Sequence, residues 1–234
     1  QKKPTFRQAL TRTGRKIRTV NALTNLNLEI PYGSVLGVIG ANGAGKSSLM
    51  RVVAGIVPPT AGRVEVYGQV STLLSLGVGF NARLTGRENV ILGGLAAGLT
   101  RAEIEEQFSA IADFADIGEA IDSPMKTYSA GMYSRLAFAV AVVVEPDVLI
   151  VDEALSTGDA KFKKKSLEKI KTLRSENRAI ILVSHALATI KEICNDVIWL
   201  DKGKIVMRGN PDDVVAAYKE SLQVAKSSSA DEDL

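Results

Sequence analysis

The sequence predicts an α/β fold in which a parallel sheet is covered by helices. Three continuous apolar segments, 35–39, 148–151 and 180–183, consist mainly of β-branched or aliphatic residues. Such runs are typical of strands that are buried on both faces, as in parallel sheets. A glycine-rich loop follows the first run and helical patterns separate it from the second, so strands and helices alternate along the chain as an α/β fold requires.

Two other regions predict smaller substructures beside this sheet. Apolar and polar residues alternate over 26–30, which predicts a half-buried antiparallel strand, and residues 63–66 continue that pattern. Thr85 and Thr100 each stand three positions before a glutamate, as in a capping box, so we expect a helix after each of them. The predicted apolar face of the second helix is formed by Ile104, Phe108, Ile111 and Ala115.

The last third of the chain predicts a hairpin and a polar tail. The turn-forming sequence Asp-Lys-Gly-Lys at 201–204 separates the apolar runs 197–200 and 205–207, which indicates a hairpin. After Tyr218 the apolar pattern fades into a segment rich in serine and acidic residues. We therefore expect residues 221–234 to be disordered.

The composition excludes several classes of protein. The chain has 234 residues, of which 46% are apolar, enough for one compact unit. No stretch reaches the eighteen or so apolar residues of a membrane span, and no export signal is visible, so a cytoplasmic location is expected. A single cysteine, Cys194, excludes an internal disulfide. Seven basic residues precede the first acidic one, Glu29, so residues 1–19 are either a solvated arm or bind anionic lipids or phosphates.

A phosphate-binding loop follows the first apolar strand. Residues 40–47 read Gly-Ala-Asn-Gly-Ala-Gly-Lys-Ser. The three glycines allow positive φ angles, so that backbone N–H groups can turn toward an anion. Lys46 adds a positive charge, Ser47 offers a hydroxyl to Mg²⁺, and the helix that begins there directs its positive end at the same anion. The pattern predicts a nucleotide site; the alternative is a merely flexible turn.

A pair of carboxylates ends the second apolar strand. Asp152 and Glu153 follow the run 148–151, and adjacent strand residues point in opposite directions, so the two can have different roles. Asp152 is suited to hold Mg²⁺, directly or through water, together with Ser47. Glu153 then remains to polarise an attacking water. The structural alternative is that one of the pair caps a helix.

A second helix start and a lone histidine complete the set of candidate residues. Ser129 is expected to cap a helix that continues into the apolar run 136–144, and Gly131 leaves its backbone N–H open to an anion. Taken alone, this could be an ordinary helix cap. His185 follows the third apolar strand, at the edge where open α/β sheets bind ligands. The order of these motifs along the chain is what makes them specific.

With this order of motifs, residues 20–218 resemble the nucleotide-binding subunits of ABC transporters. The sequence Tyr-Ser-Ala-Gly-Met at 128–132 is similar to the signature of that family, with Ala130 where glycine is usual, and Ser-Thr-Gly-Asp at 156–159 matches the loop that crosses the dimer interface. The resemblance implies a P-loop NTPase ABC cassette with a RecA-like core, an antiparallel β subdomain and a helical subdomain. The implied cassette covers 20–220, with the helical subdomain at about 85–145.

The resemblance also implies a role for each candidate residue. Glu153 and His185 are the implied catalytic residues, and Ser47 and Asp152 are the implied metal ligands. The residues implied to bind ATP are Gly40, Asn42, Gly43, Ala44, Gly45, Lys46, Ser47, Ser48, Ser129, Ala130, Gly131 and Asp159, with Phe6 as the aromatic that stacks on adenine.

One departure from the family pattern indicates a substrate. Most members have a glutamine that contacts Mg²⁺ between the first lobe and the helical lobe, whereas residues 74–81 contain none. Gln69 lies too early, and Asn81 is the nearest amide substitute. Residues 76–80 and 84–89 instead resemble the branch that exports polysaccharides such as O-antigen, capsule, teichoic acid and mycobacterial galactan.

The resemblance implies a motor that works in pairs. Two copies are expected to meet head to tail around ATP and Mg²⁺ at the cytoplasmic face of the membrane, bound to a separate membrane subunit that handles a lipid-linked polysaccharide. Small residues at 93–98 are candidates for the floor of a groove that receives this subunit, or else form a loose helix end.

Several alternatives remain open. Another kind of ABC transporter, for import or drug efflux, is possible, as is a soluble mechanical ATPase, although neither a coiled-coil insertion nor a second cassette is visible. A P-loop kinase or GTPase would lack the signature helix, and the guanine-reading Asn-Lys-x-Asp motif is absent. Nucleic acid is not an expected partner.

Overall fold

A six-stranded sheet forms the centre of the computed structural model, which describes residues 20–73, 80–152 and 159–230. Its strands are β1 Val35–Ile39, β2 Val70–Thr72, β3 Val148–Asp152, β4 Ala179–Val183, β5 Asp196–Asp201 and β6 Lys204–Gly209. They lie in the order β2-β3-β4-β1-β5-β6, and only the β5–β6 pair among these is antiparallel. The carboxyl ends of β3, β4 and β1 therefore lie side by side at one edge.

Helices cover the sheet. They are α1 Lys46–Val53, α2 Gly86–Ala96, α3 Arg101–Ala115, α4 Ala130–Val143, α5 Ala160–Ser175, α6 Leu187–Ile193 and α7 Pro211–Ala230. Because strand side chains alternate, β1 supplies two cores: Val35 and Ile39 pack with Phe138 of α4 on one face, while Leu36 and Val38 pack with Met50 of α1 on the other. The expectation of strands buried on both faces is confirmed, since every residue of β1 and β4 is buried.

The helical lobe has a hydrophobic cluster of its own. Val90 of α2, Ile104 and Ile111 of α3, and Leu136 and Val140 of α4 are buried together. Both predicted capping boxes are confirmed, because each threonine accepts a hydrogen bond from the backbone N–H of its glutamate and each glutamate accepts one from the threonine N–H. These paired bonds satisfy amides that a helix start leaves open. Two 3₁₀ turns, Gly118–Asp122 and Met125–Thr127, connect α3 to α4.

The prediction of antiparallel strands at 26–30 and 63–66 is wrong, because neither segment pairs as a strand with any part of the described chain. Leu26, Leu28 and Ile30 are nevertheless half-buried against the α1 face of the sheet, while the residues between them are exposed. The alternating pattern therefore predicted correctly which side chains are buried. A strand also needs a partner strand at hydrogen-bonding distance, and the alternation of apolar and polar residues does not show whether one is present.

The small residues at 93–98 were candidates for the floor of a groove, and two of them pack inside the lobe instead. A Cβ added at Gly94 would lie 2.5 Å from Cγ1 of Ile104, and one at Gly93 would lie 2.9 Å from Cγ1 of Val140. These glycines permit close contact of α2 with α3 and α4. Packing within the lobe thus explains these two glycines, and a groove floor that includes Ala96, Ala97 and Gly98 stays a prediction.

The hairpin near the carboxyl end is confirmed, and the disordered tail is corrected. β5 and β6 pair antiparallel around Lys202 and Gly203, whose φ angles are +45° and +77°. Helix α7 continues to Ala230, so residues 221–230 are helical where disorder was predicted. Val214 and Val215 anchor the start of α7 in the core, and helix formation can continue from an anchored start into a polar sequence. Within the described residues, the structure contains no helix both long and apolar enough to cross a membrane.

Candidate active site

The phosphate loop turns through three glycines between β1 and α1. Gly40, Gly43 and Gly45 have φ angles of +151°, +79° and +108°, a region that disfavours other residues. Two of the three also lie too close to neighbours for a side chain. A Cβ at Gly40 would approach the carbonyl oxygen of Leu200 to 2.2 Å, and one at Gly45 would approach that of Ala22 to 2.7 Å. At Gly43 an added Cβ meets no described atom within 4 Å.

Lys46 and the start of α1 present positive charge at this loop. The Lys46 ammonium is buried and donates to the carbonyl oxygens of Gly40 and Ala41 at 2.7 and 3.0 Å, so it lies under the loop. Gly45 caps α1, and in the described structure no side chain accepts a hydrogen bond there. By contrast, α2, α3, α4 and α5 each begin with a threonine, serine or aspartate whose side chain accepts one. The start of α1 is thus suited to an anion in place of a cap.

The turn between β5 and β6 is hydrogen-bonded to the phosphate loop. The N–H of Gly203 donates to the carbonyl of Ala44 at 2.8 Å, and Thr24 N–H donates to the carbonyl of Gly203 at 2.8 Å. A Cβ at Gly203 would lie 2.6 Å from the carbonyl oxygen of Ala22. Sequence reasoning identified this turn only as a hairpin, because its support of the loop depends on the order of strands in the sheet.

The sheet edge brings Asp152 and His185 to the same side as the phosphate loop. Asp152 is opposite Val183 of β4, and Val183 is also opposite Val38 of β1. His185 is exposed just beyond β4, and it lines a cleft of about 220 Å³ together with Gly40. The cleft is also lined by Tyr218 of α7, whose hydroxyl pKa is raised by burial. Glu153 lies outside the described residues.

The residues implied to act across a dimer lie on the helical lobe. Ser129 caps α4, and its hydroxyl accepts a hydrogen bond from Met132 N–H at 3.2 Å. Ser129 and Ala130 are exposed, and a Cβ at Gly131 would have only the Ser129 hydroxyl near it, at 3.8 Å. None of the described residues that line the His185 cleft comes from α4. This helix start is therefore open and separate from that cleft.

Asp159 caps α5 and joins it to the helical lobe. One carboxylate oxygen accepts from Phe162 N–H at 2.8 Å, and the other pairs with the Arg135 guanidinium at 2.7 Å. Arg135 also donates to the carbonyl of Asp116 at 2.8 Å, and its side chain is only 15% exposed. Arg135 was not among the predicted residues. The one indication in the sequence was that Arg135 lies on the helix that Ser129 was predicted to cap.

Other predictions lie partly or wholly outside the described residues. These are Phe6, the segment 74–79 and the loop residues 156–158. Asn81 is described, and its side-chain oxygen accepts from Arg83 N–H at 3.0 Å. That hydrogen bond holds the Asn81 side chain against the backbone of its own loop.

The oxygen donors at the sheet edge fit a magnesium ion. Ser47 is exposed at the start of α1, and Asp152 ends β3 half-buried. A hydroxyl and a carboxylate are hard oxygen donors, which Mg²⁺ prefers. No cluster of three or more His, Cys, Asp or Glu occurs in the described part of the chain. Few protein ligands suit Mg²⁺, because this ion usually retains water and is completed by substrate phosphates.

Comparison with known proteins relates the whole arrangement to one family. A family model described as ABC transporter matches residues 23–156. The O-antigen export system ATP-binding protein RfbB of Myxococcus xanthus is 44% identical over 219 residues, covering 94% of this chain and 50% of that protein. The teichoic acids export ATP-binding protein TagH of Bacillus anthracis is 41% identical over 211 residues, covering 90% of this chain and 38% of that protein. The chain thus spans half or less of the length of these relatives.

A solved structure has the same fold. A bacterial ABC transporter cassette, determined as a dimer, superposes with a TM-score of 0.74 at 20% sequence identity. The match covers 84% of this chain and 93% of that chain. The predicted fold class is confirmed by this likeness.

Proposed function

The chain belongs to the ABC transporter family, and from that premise we propose that it is the ATP-hydrolysing motor of a membrane exporter for a polysaccharide. The observation that carries the proposal is the start of α1. Three glycines with positive φ turn the backbone there, Lys46 lies under the loop, and α1 begins without a side-chain cap in the described structure. This combination suits a triphosphate.

Hydrolysis would take place where the carboxyl ends of β1, β3 and β4 meet. Glu153, next to Asp152, would orient the attacking water, and His185 would donate a hydrogen bond to the γ-phosphate. Ser47 and Asp152 would hold Mg²⁺, which when bound neutralises charge on the phosphates. Lys46 would stabilise the negative charge that develops on the transferred group. The shared cleft of Gly40 and His185 supports this assignment.

The site would be completed by a second copy of the chain. Ser129 is exposed and Gly131 is half-buried at the start of α4, and neither lines the cleft of His185. A helix start of this kind attracts an anion, and here the anion would be the ATP bound to the partner. Hydrolysis would remove these bridging contacts and open the dimer. The dimeric cassette with the same fold supports this arrangement.

Replacement of Glu153 by glutamine tests the hydrolytic step. Glu153→Gln preserves shape but removes the negative charge that polarises water. We expect it to bind ATP normally, to lose nearly all turnover and to form a stable dimer with ATP. Phosphate release and sedimentation velocity measure the two effects. Ordinary steady-state hydrolysis by this variant would refute the role of Glu153.

Mixing two inactive variants tests whether the site is shared. Lys46→Ala removes the loop cation, and Ser129→Arg blocks the α4 start. A mixed dimer would contain one site with both defects and one intact site, so the mixture should recover activity that neither variant has alone. A mixture no more active than its components would argue against sharing across the interface.

The transported substrate is proposed from the relatives. Proteins named for export of O-antigen and teichoic acids are more than 40% identical to this chain, and both names describe cell-surface polysaccharides. We therefore assign a lipid-linked polysaccharide, handled by a separate membrane subunit on whose cytoplasmic face two copies of the chain would act. Co-purification should identify that subunit, and depletion of the chain should cause a lipid-linked glycan to accumulate. Accumulation of an unrelated solute would reject the assignment.

A further inference from the structure

Asn89 is a fully buried polar side chain whose amide is completely used. It lies on α2 and is 0% exposed. Its side-chain oxygen accepts from Asn81 N–H at 2.6 Å. Its side-chain nitrogen donates to the carbonyls of Asn81, Leu84 and Thr85 at 3.0, 3.3 and 2.8 Å. One side chain therefore ties both ends of the segment 81–85 to α2.

The residue that precedes this segment connects two hydrophobic clusters. Phe80 is half-buried and packs against both the main core of the sheet and the core of the helical lobe. Its ring lies edge-on to Tyr133 of α4, with 5.9 Å between the ring centroids. It also lies 3.1 Å from the position of a Cβ on Gly93, so the absence of a side chain there gives Phe80 its space.

Tyr133 is one helical turn from the α4 start. Its N–H donates to the carbonyl of Ser129 at 3.0 Å, so the ring that touches Phe80 belongs to the same turn as Ser129. A continuous set of contacts thus runs from Asn89 through Asn81 and Phe80 to this turn. Packed contacts of this kind transmit displacement because cores resist compression.

We propose that Asn89 is a positioning residue, which fixes Phe80 and thereby sets the place of the Ser129 helix start relative to the sheet. The proposal rests on the proposed function, since the α4 start matters only if it binds the partner's ATP. Asn89 itself touches neither nucleotide nor metal in this scheme. Its removal should therefore weaken the dimer while leaving the phosphate loop of each chain competent.

Asn89→Asp is the sharpest substitution. It preserves shape but replaces two N–H donors by an oxygen that faces three carbonyl groups, and an unpaired buried polar group is unfavourable. Ile104→Val is the matched control, because it removes one methyl group from the lobe core without touching segment 81–85. Phe80→Leu breaks the contact with Tyr133 from the other end, and it provides a second variant if Asn89→Asp folds poorly.

The first measurement concerns geometry within one chain and does not depend on dimerisation. Spin labels on cysteines at the exposed positions 110 of α3 and 175 of α5 report the separation of lobe and core. Cys194 stays unlabelled, because it is 7% exposed and burial raises the pKa of its thiol to about 12. We expect the width of the distance distribution to at least double in Asn89→Asp and Phe80→Leu, but not in Ile104→Val. Equal widths in all variants would overturn the proposal.

The second measurement concerns assembly. In the Glu153→Gln background, we expect the dissociation constant for ATP by the single chain to change less than twofold in Asn89→Asp. The dissociation constant of the ATP-bound dimer should increase at least tenfold, and Ile104→Val should leave it unchanged. Equal losses in the two variants would mean that Asn89 is merely structural. The Glu153→Gln parent could fail to dimerise with ATP while the distance distribution of Asn89→Asp still doubles in width. That result would refute the shared site, but it would leave Asn89 as the residue that positions the lobe.

Discussion

Two glycines of the phosphate loop should respond very differently to the same added methyl group. Gly43→Ala puts the methyl where no described atom lies within 4 Å, so its cost to folding is the positive φ alone, on the order of 1 kcal/mol. For a domain of this size, that lowers the melting temperature by about 2–4 °C. The methyl would, however, enter the space in which we expect the β-phosphate.

Gly40→Ala introduces a clash with the protein itself. The new Cβ would approach the Leu200 carbonyl oxygen to 2.2 Å, and a backbone atom cannot rotate away as a side chain can. Backbone strain contributes about 1–3 kcal/mol and overpacking a similar amount. A total of about 4 kcal/mol corresponds to a fall of about 8–16 °C in the melting temperature.

Thermal unfolding with and without ATP separates the two effects. A ligand that binds only the folded state raises the free energy of unfolding by RT ln(1 + [L]/Kd). The increase in melting temperature with ATP therefore reports the affinity for ATP. We expect Gly43→Ala to be nearly as stable as the parent without ATP, yet to lose most of the rise that ATP gives. Gly40→Ala should be strongly destabilised even without ATP. The reasoning fails if ATP raises the melting temperature of Gly43→Ala as much as that of the parent, or if Gly40→Ala melts at the same temperature as the parent without ATP.

Three other substitutions or probes test the fold around the site. Cys194 should not react with a thiol reagent at pH 8 until the protein unfolds, because burial raises its pKa to about 12; reaction of the native protein within minutes would contradict this. The hydrogen bonds from Thr85 lower the pKa of Glu88, so their contribution is present above the usual glutamate range and is lost as the pH falls below it; Glu88→Gln should show a smaller loss of melting temperature on acidification. Gly94→Ala should cost about 1–3 kcal/mol by overpacking against Ile104, and denaturant titration should find that Gly94→Ala and Ile104→Ala together cost less than the sum of their separate costs.

The elements that the sequence predicted correctly are those whose cause is local. The capping boxes at Thr85 and Thr100 depend on residues three positions apart, and the buried strands depend on runs of four or five apolar residues. The glycine-rich loop likewise carries its own φ requirements. Each of these could be identified because the residues that determine it are neighbours in the chain.

The elements that escaped prediction depend on distant partners. Gly203 is recognisable as a turn residue, but its bond to Ala44 exists only because β5 lies next to β1 in the sheet. Asn89 likewise gave no sign of its bonds to Asn81 and the residues that follow it. The helical extension of α7 beyond residue 220 was missed because serine and charged residues were interpreted as disorder, although an anchored helix tolerates them.

The two halves of the proposed shared site are stabilised by different hydrophobic clusters. Asp152 ends a strand, and the phosphate loop and His185 follow two others; the side chains of these strands form the cores of the sheet. Ser129 begins α4 beside Tyr133, which packs against the lobe cluster. Helix α4 joins the clusters, since Leu136 and Val140 lie in the lobe core while Phe138 and Ala141 lie in the main core. Because one continuous helix carries both sets of residues, the position of the α4 start relative to the phosphate loop depends on packing in both clusters at once.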